Sequence, residues 1–152
     1  MKSIKITVKD LVTFIHSGGD LTNEFKSNAR AKKGQEIHSY HQGKYLDTDQ
    51  KEVSVETLYQ TDLFDFYITG RIDGLLTIDG KTIIEEIKST TLDINLIKET
   101  SRPEHLAQAK IYAYLYVLKH NLKSIHVWLT YIKVDTYEEV TFKKRYNITQ
   151  LK

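Results

Sequence analysis

The chain has 152 residues, which predicts one domain over 1–152 that buries about 70% of the surface of its unfolded chain. Cysteine is absent, and this excludes disulfides, thiolate catalysis and Cys-ligated zinc or iron–sulfur clusters. The net charge of +2 is too small to indicate nucleic-acid binding by itself. No apolar run reaches the ~20 residues of a membrane span, and the first residues do not resemble a signal peptide, so we expect a cytoplasmic domain.

Two helices are predicted before the first predicted strand. They span 8–15 and about 24–45. The Gly18-Gly19 pair is expected to end the first helix. Asp20 or Thr22 is the expected N-cap of the second, which is predicted to be interrupted or kinked near Gly34.

Alternating apolar and polar residues predict five strands. They span 53–60, 64–78, 82–88, 124–134 and 137–145. Between the third and fourth strands, a helical turn is predicted near 94–98 and a helix from Pro103 to about His120, with Asn121 just beyond it. The order of helices and strands predicts an α/β or α+β sandwich around a mixed β-sheet.

A two-residue hairpin turn at Asp79-Gly80 brings acidic residues together. If these residues form the loop, paired positions sum to 159, so Asp73 lies opposite Glu86, with Lys88 on the same face. Two opposed carboxylates require a cation or a raised pKa. Their hard oxygen atoms suit Mg²⁺ or Mn²⁺, and a lysine beside them can act on a water molecule or a phosphoryl group. A solvent-facing hairpin with a surface ion pair explains the same pattern.

Two features of the hairpin conflict with this register. The register places Arg71 opposite Lys88, and a bulge at Gly74 or a kink at Gly70 would relieve that like-charge pair. It also places Glu85 on a face that is otherwise apolar.

Four short motifs follow one another between residues 34 and 112. They are Gly34 with His38, Gly70-Arg71-Ile72-Asp73-Gly74, Glu86-Ile87-Lys88, and Gln108-Ala109-Lys110-Ile111-Tyr112. In this order they resemble the motifs of the PD-(D/E)XK nuclease superfamily, and the first and last resemble those of its RecB-like exonuclease branch. Many relatives in CRISPR systems or linked to helicases carry four cysteines for an iron–sulfur cluster, whereas this chain has none.

The resemblance implies a metal-dependent nuclease with a restriction-endonuclease-like α/β fold, in which α-helices flank a central mixed β-sheet. The implied ligands of Mg²⁺ or Mn²⁺ are His38, Asp73, Glu86 and the backbone carbonyl of Ile87. Lys88 would act on the nucleophilic water or the scissile phosphate, and Gln108 and Tyr112 would help to place the DNA. Ordinary packing of one helix face explains the spacing of Gln108 and Tyr112 equally well.

We therefore predict a metal-dependent deoxyribonuclease, an exonuclease with a function in DNA repair. Two alternatives remain open: a structure-selective endonuclease or junction resolvase of the same superfamily, and a non-catalytic DNA-binding module. The expected partner is DNA rather than a membrane. The chain has no Gly-rich phosphate loop with a lysine, so an associated helicase module would have to supply any ATPase activity. The sequence fits a free-standing domain and a fragment of a helicase–nuclease equally well.

Overall fold

The computed structural model describes residues 2–16 and 28–151 of the chain. Within these ranges, helices flank both faces of one mixed six-stranded sheet, which confirms the predicted α/β class and is consistent with a restriction-endonuclease-like fold. None of the described helices is long and apolar enough to cross a membrane. The helix end predicted at Gly18-Gly19 and the N-cap predicted at Asp20 or Thr22 lie outside the described residues.

The elements occur in the predicted order, with one addition at each end. The strands are Lys2–Thr7 (β1), Gln50–Gln60 (β2), Phe64–Ile78 (β3), Lys81–Thr90 (β4), Ser124–Lys133 (β5) and Glu139–Asn147 (β6). The helices are Val8–His16 (α1), Asn28–Gln42 (α2), Pro103–His120 (α3) and Ile148–Leu151 (α4), and a 3₁₀ turn spans Ile94–Leu96. Strand β1 and helix α4 were not predicted from the sequence.

Helix α2 is continuous through Gly34, so the predicted interruption is wrong. Glycine weakens a helix without removing a backbone hydrogen bond. The buried side chain of Ile37 packs against Ile87 of β4 and Ile132 of β5, and this contact holds the helix on the sheet. Tertiary packing therefore outweighs the low helix propensity of one glycine.

Strand β3 pairs with three other strands and is paired differently along its two edges. Strand β2 runs antiparallel along one edge, opposite residues 65–75. On the other edge, β1 pairs in parallel with 64–69 and β4 pairs antiparallel with 74–78. Residues 70–73 therefore have no strand partner on that edge within the described part of the chain. We call this opening between β1 and β4 the fork.

The two faces of the sheet are covered by different helices. Leu75 and Ile84 belong to the main core, which includes residues of α1 and α3, whereas Ile87 packs with Ile37 of α2. Successive residues of a strand point to opposite faces. Glu85 and Glu86 of β4 are therefore directed towards α2 and α3, respectively.

Candidate active site

The predicted hairpin forms, but its pairing ends one residue before the predicted acidic pair. Asp79 and Gly80 form the turn with positive φ angles of 51° and 74°, and the pairs from Ile78–Lys81 to Gly74–Glu85 follow the predicted register. Asp73 is not paired with Glu86 through the backbone, because β3 and β4 separate at the fork. That expectation of direct opposition is corrected: the Asp73 Oδ2 atom instead accepts a 2.8 Å hydrogen bond from the Ile87 N–H.

Asp73 and Glu86 nevertheless form a buried acidic pair. Asp73 is 8% exposed and Glu86 is 3% exposed. Burial and the neighbouring Asp73 carboxylate raise the pKa of Glu86 well above its usual value, although Lys88 opposes this shift from 3.2 Å. Two carboxyl groups in a low-dielectric site are therefore left with too little positive charge around them.

One oxygen of this pair has the environment expected of a cation ligand. Glu86 Oε2 is buried and has no hydrogen-bond partner among the described residues. A buried acceptor without a donor is costly, and a divalent cation would remove that cost. The N–H and C=O of one strand residue point to the same edge, so the carbonyl of Ile87 faces the fork together with the N–H that binds Asp73. Two carboxylates and a carbonyl fit Mg²⁺ or Mn²⁺, which complete their coordination with water and substrate phosphate.

Lys88 is held from the other side by helix α3. Its Nζ donates a 2.8 Å hydrogen bond to Gln108 Oε1, and Gln108 Nε2 donates to the Tyr112 hydroxyl at 3.0 Å. Burial and the charge of Glu86 raise the pKa of Tyr112 to about 12, so its hydroxyl stays protonated at neutral pH. The residues Glu86, Lys88, Gln108 and Tyr112 therefore form one connected polar chain from β4 to α3.

His38 approaches the site from helix α2, on the other side of the sheet. Its Nδ1 lies 3.6 Å from Asp73 Oδ1 and the side chain is partly exposed. In the described ranges, no three His, Cys, Asp or Glu side chains are grouped closely enough to hold a metal ion by themselves. Coordination by His38 therefore stays a prediction, while its position next to Asp73 is observed.

The expected repulsion between Arg71 and Lys88 is avoided in the structure. Pairing ends at Gly74, so Arg71 does not face Lys88; its side chain is 68% exposed and lies 3.8 Å from Glu52 Oε2. The separation of the strands at the fork relieves the repulsion without a bulge at Gly74. Gly70 is needed for close packing, because a Cβ atom there would overlap the ring of Tyr112.

Glu85, the acid that the register places on the apolar face, is a second buried acid whose hydrogen-bond partners were not predicted from the sequence. Glu85, which is 2% exposed, accepts hydrogen bonds from His41 Nε2 at 2.9 Å, Tyr45 Oη at 2.5 Å and Thr130 Oγ1 at 2.7 Å. Gln42 was also missed, and its Nε2 donates a 2.9 Å hydrogen bond to the backbone carbonyl of Asp73. The sequence signal for these partners was Glu85 itself, since a charged residue in an apolar stripe requires buried hydrogen-bond partners.

A groove opens beside the fork. It has a volume of about 560 Å³ and runs between α1, α3 and the strands β2 and β3. Among the described residues, the cations Lys9, Arg71 and Lys119 and the acid Glu56 line the groove, and Tyr112 lies at its wall. Tyr112 thus borders both this groove and the polar chain that leads to Glu86.

Comparison with known proteins supports the fold. No family model matches the chain, and no curated protein matches it significantly. Among solved structures, that of SSO0001 is similar with a TM-score of 0.61 and 21% identity, over 99% of this chain and 73% of that chain. A phage-related exonuclease from Haemophilus somnus 129PT gives a TM-score of 0.43 and 13% identity, over 95% of this chain and 74% of the other. At such identity, the likeness to SSO0001 establishes a shared fold and no more.

Proposed function

We propose that this chain is a Mg²⁺- or Mn²⁺-dependent DNA nuclease of the PD-(D/E)XK type. The observation that carries the proposal is the buried pair of Asp73 and Glu86, in which Glu86 Oε2 has no donor among the described residues. A structural role gives no reason to bury two repelling carboxyl groups beside each other. A divalent cation held by Asp73, Glu86 and the carbonyl of Ile87 gives that reason.

The chain's own residues fit phosphodiester hydrolysis. The metal would supply a Lewis acid that polarises the phosphate and lowers the pKa of an attacking water. Lys88 is aimed at the same place, because Glu86 and Gln108 hold its ammonium group from two sides. A fixed positive charge there can stabilise the charge that develops on a phosphoryl oxygen. Tyr112 and Gln108, which are linked to each other, are placed to bind a neighbouring phosphate or sugar.

The groove beside the fork supports a polyanionic substrate. Its excess of cations suits a phosphate backbone, which binds through Lys and Arg contacts. Arg71 precedes Asp73 by two residues in β3 and is therefore on the same face of the strand. A DNA strand bound in the groove would place a phosphate close to the acidic pair. The motif resemblance favours an exonuclease over an endonuclease.

The test is digestion of end-labelled linear DNA and of circular single-stranded DNA with Mn²⁺, Mg²⁺ or EDTA. We expect linear DNA to be degraded with either metal and not with EDTA. Circular DNA should persist because it has no end, and its cleavage would indicate the structure-selective endonuclease instead. DNA binding without any cleavage would indicate the non-catalytic module.

The matching variants are Asp73→Asn and Glu86→Gln, each of which should abolish cleavage. Asp79→Asn is the control, because it removes an acid from the same hairpin at the turn, where asparagine tolerates the positive φ angle. Undiminished cleavage by either fork variant would show that the reaction takes place elsewhere.

A further inference from the structure

The last turn of helix α2 is attached to the sheet through a buried charge. Glu85 of β4 accepts hydrogen bonds from His41 of α2 and from Tyr45, three residues beyond the end of the helix. Burial alone would lower the pKa of His41, but the hydrogen bond and charge of Glu85 outweigh it, so the pKa is raised. A hydrogen-bonded pair of an imidazole and a carboxyl group therefore joins α2 to β4.

The same short segment holds the backbone of the fork. Gln42 donates a hydrogen bond to the backbone carbonyl of Asp73, and the hydroxyl of Tyr45 lies where a Cβ atom of Gly74 would be. Asp73 and Gly74 are thus covered by Gln42 and Tyr45. His38, one helical turn before His41 and Gln42, lies 3.6 Å from the Asp73 carboxylate. Any rotation or slide of α2 would separate His38 from Asp73.

A buried carboxylate stabilises the contact between a helix and a sheet less than an apolar side chain can. A hydrophobic residue at position 85 would continue the apolar stripe that contains Ile83 and Ile87, and burying an ion pair seldom stabilises a fold more than apolar packing does. The carboxylate instead makes directional hydrogen bonds, which apolar packing does not. An acceptor-only group with three donors around it permits one arrangement of those donors, whereas apolar packing tolerates small shifts.

We infer that Glu85, through His41 and Tyr45, is a positioning residue that sets the rotation of α2 so that His38 faces Asp73. We call these three residues the α2 clamp. The inference deepens the proposed function and rests on it for the effect on cleavage, while the placement of His38 is a property of the metal-free protein. No assignment of Glu85 to substrate or metal is involved, because it points to the face opposite Glu86.

The test compares two variants that each remove one hydrogen bond to Glu85 with one variant that changes Glu85 itself. Tyr45→Phe removes a donor that belongs to the α2 clamp. Thr130→Val is the matched control, because it removes the donor from β5 and leaves both clamp contacts in place. Glu85→Gln removes the charge and turns one of its two oxygens into a donor. Tyr45→Phe loses only one hydroxyl, so it keeps the test valid if Glu85→Gln fails to fold.

The main measurement is the NMR signal of the His38 imidazole in metal-free protein. In the wild type, Asp73→Asn should shift the His38 ring resonances because the two groups are neighbours. In the Tyr45→Phe and Glu85→Gln backgrounds we expect this response to fall to less than half, and in the Thr130→Val background to remain. Unfolding by urea should show lower stability for all three variants, so stability alone does not separate them.

The second measurement is cleavage of linear DNA at saturating Mn²⁺. We expect kcat to fall about 10- to 100-fold in the two clamp variants, as is typical when a residue that orients a metal ligand is lost, with a much smaller change in Thr130→Val. An unchanged response of His38 to Asp73→Asn in both clamp variants would overturn the inference, since the α2 clamp would then only stabilise the fold. If the wild type cleaves no DNA while the NMR result is as expected, the proposed function fails and the positioning role stands.

Discussion

The protonation of Glu86 links the site to stability. Its pKa is higher in the folded protein than its ordinary value of 4.5, because of burial and the charge of Asp73. The folded state therefore binds more protons than the unfolded state above pH 4.5, and the free energy of unfolding falls as pH rises through that range. A carboxyl group whose ionisation lowers the stability of the metal-free protein is expected at a functional site.

Glu86→Gln should accordingly stabilise the metal-free protein at pH 8. A neutral amide does not repel Asp73, so we expect the free energy of unfolding to rise. At pH 4.5 the difference should be small. Urea unfolding at both pH values measures it, with Asp79→Asn as the control. A loss of stability at pH 8 would show that the ion pair between Lys88 and Glu86 stabilises the fold more than the repulsion between Asp73 and Glu86 destabilises it.

Lys88 is expected to act on the reaction rather than on metal affinity. Lys88→Ala should lower the rate of DNA cleavage by about 100-fold or more, the order of effect of removing one group that stabilises transition-state charge. Mn²⁺ binding, measured by calorimetry, should be retained, because the carboxyl oxygens of Asp73 and Glu86 remain. Disappearance of Mn²⁺ binding together with the lysine would contradict this role.

At the scale of elements, two glycines have opposite functions. Gly70 in β3 lets the ring of Tyr112 in α3 approach the strand, because a Cβ atom would overlap that ring and would also approach Val8 of α1. A Cβ atom added to Gly34 in α2 would meet, among the described residues, only the hydroxyl of Ser89, at an ordinary contact distance. The first glycine is required by packing between elements, whereas the second has room for a side chain.

Alanine at these two positions should therefore change stability in opposite directions. We expect Gly70→Ala to destabilise the protein by about 1–3 kcal/mol through overpacking and to lower DNA cleavage, because Tyr112 must move away from Gln108. Gly34→Ala should stabilise α2 by up to about 1 kcal/mol through helix propensity. Thermal unfolding of both variants provides the comparison. Equal effects would mean that the contact between Gly70 and Tyr112 does not control packing at the fork.

At the scale of the whole molecule, the small net charge conceals an uneven distribution. The described residues that line the groove beside the fork include more cations than acids, although the chain as a whole carries only +2. Lys119, at the end of α3 away from Gln108, extends this positive surface beyond the site. The distribution favours binding of a strand that continues past the acidic pair.

Lys119→Gln should therefore weaken the binding of single-stranded DNA without abolishing it. Loss of one phosphate contact should reduce the slope of log K against log salt concentration by about 0.7, the value for one contact on a single strand. Titrations at several salt concentrations, made with EDTA to prevent cleavage, measure this slope. Lys144→Gln is the control, because Lys144 is exposed on β6, with β4 and β5 between it and β3. Equal slopes for both variants would place the DNA elsewhere.

Local sequence was sufficient for much of the fold. Helix α3 has the predicted bounds, from Pro103 to His120, and Asn121 ends it with a φ of 53°. Strand β3 and the turn at Asp79-Gly80 also follow the prediction, because periodicity and turn chemistry act over a few residues. The structure places the side chains of the four motifs near one another, while their roles stay predictions.

Contacts between distant segments decided the rest. Strand β1 forms because Lys2–Thr7 pairs in parallel with residues 64–69, some 60 positions away, and no local pattern predicts such a pairing. Pairing of β1 and β4 with the same edge of β3 opens the fork, so Asp73 meets the Ile87 N–H instead of pairing with Glu86. Burial of Glu85 likewise depends on α2 lying across β4. The sequence determined which residues carry charge and which strands turn back on themselves, whereas the tertiary structure decided which charges meet, because their separation along the chain exceeds the range of any local preference.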